Sequence, residues 1–114
     1  MAAVYVTNLT INAGADFDQT FTLENSQSNS TLNLTGYTAT SQLRKHSGSS
    51  TYVSFNTSIP NSQFGKIRIN LTSQQTASLK PGRYVYDVVI TQTSSNIKTR
   101  VIEGMVLVRE GVTR

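Results

Sequence analysis

Leu79-Lys80-Pro81-Gly82-Arg83-Tyr84 is the stretch that narrows the fold. Its shape is Leu-x-Pro-Gly-x-Tyr. Pro81 presets φ for a turn, and Gly82 reaches backbone angles closed to other residues. In Greek-key sandwiches this arrangement stands at the corner that enters a late strand. The apolar residue plugs the core, Pro-Gly turns the chain, and the Tyr hydroxyl bonds back to backbone a few residues upstream. The reading therefore places Leu79 in a core and Tyr84 at a crossover between two sheets. The alternative is an ordinary turn followed by a core tyrosine. Either way the segment speaks to architecture and is silent about function.

Working outward, the chain alternates between short β-patterned runs and polar punctuation. Just upstream, Lys66-Ile67-Arg68-Ile69-Asn70-Leu71 has strict period two, with Ile67, Ile69 and Leu71 on one face. Thr72–Leu79 has modest helical character, with Thr72 able to cap one turn before Pro81 ends it. Downstream, 84–93 and 98–109 read as the two longest strands, joined by a hairpin at Thr93-Ser94-Ser95-Asn96. The first of these carries apolar residues on both faces, as a central strand of a sandwich does. Toward the N-terminus, 4–11, 16–24 and 37–44 read as strands. Residues 25–33 form a polar loop, His46–Ser50 a turn, 52–56 a short strand and 59–65 a loop carrying Pro60 and Gly65. That makes about seven strands at the roughly 8–12-residue spacing of sandwiches. The expected fold is all-β: an immunoglobulin-like Greek-key sandwich of antiparallel strands, spanning 1–114 as one domain. Phe17, Phe21, Leu43, Ile67, Ile69 and Leu79 are the expected core.

Composition agrees. Of the 114 residues only 37% are apolar and 14% charged. Thr, Ser, Asn and Gln fill the difference. Disordered chains are charge-rich and poor in β-branched residues. This chain is rich in Val, Ile, Thr and Tyr, which fit a pleated surface. There is no cysteine, so no disulfide framework, thiolate metal site or Cys nucleophile is available. The first residues lack the pattern of a signal peptide, and no stretch approaches membrane-spanning length. The net charge is +4, unevenly spread: residues 1–43 hold three acids and no base, and the remainder ten bases and three acids. The bases are singles and pairs (Arg44/Lys45, Lys66/Arg68, Lys98/Arg100) and form no dense run for nucleic acid.

Few residues offer chemistry. His46, the one histidine, has no carboxylate near it in sequence to orient it as a base, and reads as a solvated turn residue. Asp16 and Asp18 at i and i+2 would share a strand face and could meet a hard cation. Two ligands are too few, so exposed edge charges that discourage strand pairing is the reading taken. Asn8, Asn29, Asn33, Asn56 and Asn70 each begin an Asn-x-Ser/Thr triplet. Without a leader these are chance products of an Asn/Ser/Thr-rich chain rather than glycan acceptors. No catalytic, cofactor-binding or metal-binding residue is assigned, and no cofactor is expected. What remains is a rigid, hydroxyl-rich surface suited to wet protein–protein contact. The extended ends, 1–4 and 111–114, are candidates for pairing with a neighbouring subunit.

The segment Leu32-Asn33-Leu34-Thr35-Gly36-Tyr37 resembles one found in small virion domains of tailed phages. These include the N-terminal domain of the baseplate upper protein of lactococcal-type phages and small structural proteins of cyanophage-like viruses. The order of the other motifs is similar. Asp18 to Leu23 nearly fits an Asp-x-x-x-Phe-x-Leu strand. Then come Thr76-Ala77-Ser78-Leu79, the Gly-x-Tyr-x-Tyr-Asp of Gly82 to Asp87, and Glu103-Gly104 ahead of Met105–Val108. The likeness covers about residues 14–109. It departs where multidomain relatives continue into a coiled coil or receptor-binding region. The resemblance implies a free-standing virion subunit, made in the host cytoplasm, at the tail, baseplate or fibre attachment. Its partners would be other virion proteins, in multiple copies, as a homo-oligomer or as part of a symmetric assembly, with no nucleic acid and no membrane. It implies no catalytic residue. A capsid decoration protein is the alternative within that class. A carbohydrate-binding module for host adsorption is the alternative outside it, with Tyr5, Tyr37 and Tyr52 as its only candidate aromatics. An enzyme comes last.

Overall fold

A computed structural model describes residues 5–23, 33–61, 63 and 65–112. The strands are β1 (Tyr5–Val6), β2 (Leu9–Asn12), β3 (Phe17–Thr22), β4 (Tyr37–Arg44), β5 (Val53–Ser54), β6 (Asn56–Asn61), β7 (Lys66–Leu71), β8 (Gly82–Gln92) and β9 (Lys98–Arg109), with one helix, α1 (Ser73–Ala77), after β7. Two sheets pack face to face. The larger runs β1-β9-β8-β4-β5, with β2 beside β1 on the same edge of β9; the smaller runs β3-β7-β6. The result is an all-β, immunoglobulin-like sandwich.

The core lies between the sheets. Ile67, Ile69 and Leu71 of β7 face Leu43 of β4, Val88 and Ile90 of β8, and Val106 and Val108 of β9, all nearly or fully buried. Burying each such side chain stabilises by about 1.5–3 kcal/mol. Five of the six core residues expected from sequence are buried; Phe17 is half-buried at the margin, its ring 5.9 Å from that of Phe55. The corner at 79–84 forms as read. Leu79 is buried, Gly82 sits at φ 141°, and the Tyr84 hydroxyl donates to Lys80 O at 2.7 Å. Among the described residues one side-chain bond crosses between the sheets: Thr57 Oγ1 donates to Ala39 O at 2.7 Å.

The structure corrects the sequence reading at two places, the first strand and residues 59–61. The first strand is broken into β1 and β2, and both run parallel to β9 rather than antiparallel. Residues 59–61 belong to β6 rather than to a loop. There Ile59 and Pro60 together oppose the single residue between Arg68 and Lys66, a bulge on an edge strand. The missing N–H of Pro60 is tolerated there. In β9 a second register shift leaves Val101 and Ile102 adjacent and both buried. The helix is real but short, closed by reciprocal bonds between Thr72 and Gln75. Expectations for 1–4, Asn29, most of the 25–33 loop, and 113–114 lie outside the described residues.

Candidate functional site

The residues singled out for chemistry are dispersed. Asp16 precedes β3 and accepts from Ser73 N at 2.7 Å, capping α1. Asp18 lies on β3 and forms a two-pronged pair with Arg68, at 2.9 Å to Nε and 2.7 Å to Nη2. That bond holds its carboxyl below the usual value and raises the guanidinium's. The two acids thus serve different partners and do not share a site. His46 is exposed in the turn after β4. No cluster of three or more His, Cys, Asp or Glu stands close enough to share a metal among the described residues.

Four of the five asparagine triplets are explained by internal hydrogen bonds. Asn8 Oδ1 accepts from Met105 N at 3.1 Å, and Asn33 Oδ1 from Thr35 N at 2.9 Å. Asn56 Nδ2 bridges Asn70 Oδ1 and Gln75 Oε1. Asn29 lies outside the described residues. The three tyrosines considered for sugar stacking do not converge. Tyr5 borders a small groove of about 140 Å³ on the β1 edge. Tyr37 is half-buried against the core. Tyr52 stands near β5 under Arg44, whose guanidinium is 4.8 Å from the ring centre.

What does converge is the outer face of the large sheet. Pairing registers define its rows. Thr10, Leu107 and Arg83 form one row; Met105, Val85 and Arg44 the next; Val6, Glu103, Asp87, Gln42 and Ser54 the third; and Arg100, Val89 and Thr40 the fourth. Val6 is 74% exposed, Met105 47% and Leu107 44%. With half-buried Val85 they form an apolar strip along the seam of β9. Beside it a shallow depression of about 770 Å³ is bordered by Gln42, Arg44, His46, Asp87, Arg100 and Glu103. Asp87 faces Glu103 across the β8–β9 ladder and is compensated by Arg100 Nε at 3.3 Å. Glu103 has no side-chain partner among the described residues. A lone acid opposite another acid is an unfavourable pair that a cation from outside relieves.

The face rests on a rigid seam. Between β1 and β2 the chain crosses Gly104 so closely that a Cβ there would lie 2.2 Å from Thr7 O. Only glycine fits. Thr7 O accepts from the buried Tyr86 hydroxyl at 2.6 Å, and Thr7 N donates to Glu103 O at 2.9 Å. Burial pushes the Tyr86 phenol up to about 12. Sequence reading missed this face. Its one signal was Met105-Val106-Leu107-Val108, four apolar residues in succession at a strand end, which leaves two of them on each face.

No family model and no curated protein matches the chain. Solved structures match in fold. The chain is similar to part of InlP of Listeria monocytogenes, at 16% identity and TM-score 0.50, covering 90% of this chain and 26% of that one. It is also similar to part of a family 123 glycoside hydrolase from Clostridium perfringens, at 13% and 0.46, covering 96% and 24%. The NK cell receptor NKp44 matches at 11% and 0.44, covering 95% and 100%. The chain spans about a quarter of the length of the first two.

Proposed function

We propose that the chain is a non-catalytic structural module of a tailed-phage particle, acting by protein–protein contact at the tail, baseplate or fibre attachment. The observation that carries the contact reading is the outer face of the large sheet. An apolar strip of Val6, Val85, Met105 and Leu107 lies beside the uncompensated Glu103 on a stiff, extended surface. Exposed apolar residues grouped in this way mark contact surfaces, whereas isolated ones need no explanation. The particle reading is supported by the order of motifs from Asp18 to Val108. A decoration protein of the head is the second reading, supported by the same face. The dispersed tyrosines weigh against a sugar platform, which needs aromatics on one surface.

Particles purified from the strain that encodes the chain provide the test. The chain should be present at a fixed ratio to the major capsid protein, and gold-labelled antibody should mark the tail. Labelling of the head selects the decoration reading, and absence from the particles overturns both.

A further inference from the structure

The sandwich has four lateral edges, and three are blunted in ways that discourage pairing. β5 is two residues long. β6 carries Pro60 and a bulge. The β9 edge is covered by the interrupted pair β1 and β2. Such devices are the usual protection of a sheet edge. β3 has none of them. It is six residues long, keeps unbroken register with β7, and has no strand neighbour on its outer side among the described residues. Parity identifies the free groups. Leu23 N donates to Gly65 O, so odd-numbered residues of β3 bond inward to β7. The N–H and C=O of Asp18, Thr20 and Thr22 therefore point out of the edge. Among the described residues only Thr20 O is met, at 3.4 Å by the side chain of its neighbour Gln19.

We propose that this edge is a homotypic interface, in which β3 of a second copy pairs antiparallel about a twofold axis at Thr20. Charge selects both the partner and the register. Asp18 is the one acid on the strand, and Arg68 neutralises it, so it no longer repels an incoming strand. With Thr20 opposite Thr20, Asp18 faces Thr22 of the other copy. That hydroxyl accepts from Lys66 Nζ at 3.1 Å. Each Asp18 is thus placed beside the other copy's Lys66, twice by symmetry, with the two acids at opposite ends. All three outward residues on each side are paired, and the small sheets join into one of six strands, β6-β7-β3-β3-β7-β6. An isologous contact of this kind is self-limiting.

Sedimentation of the purified chain over a rising concentration series tests the interface. The mass should climb from 12.5 kDa toward twice that value. Thr20→Pro removes an outward N–H that makes no bond to β7, and Thr20→Lys places two cations on the axis. Each should weaken association by roughly tenfold or more while cooperative melting is retained. Thr38→Lys, on the exposed face of the other sheet, should leave the mass curve unchanged. So should Leu107→Lys on the contact face, which separates this interface from the proposed particle contact. A chain that stays at 12.5 kDa throughout, including one whose edge takes an extended segment of a different protein, overturns the proposal. Dimerisation of both Thr20 variants at wild-type strength overturns it equally.

Discussion

The helix end of the sandwich and the outer face of the large sheet draw on the same polar-rich composition and use it in opposite ways. At the helix end every polar group named is answered from within. Buried Thr76 accepts from Gly14 N at 3.0 Å and donates to Ala15 O at 2.8 Å, tying the β2–β3 turn to α1. Asp16 caps the helix from outside, and Thr72 and Gln75 cap it from within. On the outer face Glu103 has no side-chain partner among the described residues, and Met105 and Leu107 stand partly in solvent. Hydroxyls and amides therefore do not mark function by their presence. A polar group matters for contact when its own chain leaves it unsatisfied, and for stability when its own chain satisfies it.

Substitutions can break this contrast. The largest effect is expected at the seam beneath the face. Gly104→Ala drives a methyl into Thr7 O and should destabilise by about 3 kcal/mol or more, lowering Tm by roughly 10 °C. A variant melting within a degree of wild type would show that the β1–β2 crossing is not held there. Next comes Thr76→Val, which keeps shape and strands Gly14 N–H and Ala15 C=O. Calorimetry should show a loss of about 2 kcal/mol, with Thr76→Ser restoring most of it. Smaller is Tyr86→Phe, which loses one bond to Thr7 O, about 1 kcal/mol. Its pH dependence has a definite sign. The neutral hydroxyl is the donor, and its raised value of about 12 lies above the ordinary phenol's 10.0. Its contribution is complete below pH 10 and disappears as pH rises toward 12. The stability gap between wild type and Tyr86→Phe should therefore close across that window, and a constant gap would contradict the assignment.

The parts legible in the sequence were those fixed by local pattern. Lys66–Leu71 alternates because β7 is central in its sheet with one face buried. Lys98–Arg109 was bounded correctly because both ends carry charge. The corner at 79–84 is written in Pro81, Gly82 and Tyr84. What the sequence concealed depended on residues far apart. The break at Thr7–Asn8 is imposed by Gly104, nearly the length of the chain away. Pro60 reads as a loop residue until a bulge on an edge strand absorbs it. Asp16 and Asp18 look like a pair in sequence, yet the helix claims one and Arg68 the other. The contact face was hidden for the same reason. Val6, Val85, Met105 and Leu107 come from three strands and become neighbours only through register. The motifs that carry the phage resemblance fall largely on such anchoring points. Leu34 is buried, Gly36 O receives both the N–H and the hydroxyl of Thr93, and Gly104 admits no side chain.

The central claim is that the outer face of the large sheet is the surface by which the chain is held in an assembly. Met105 stands in the middle of that face and is 47% exposed in the free chain. Its oxidation by dilute peroxide, followed by peptide mass spectrometry, reports that exposure directly. In the free protein Met105 should convert readily to the sulfoxide, and in intact particles it should be shielded, reacting at least several-fold more slowly. Equal rates in the two states would contradict the account and move the contact to another surface.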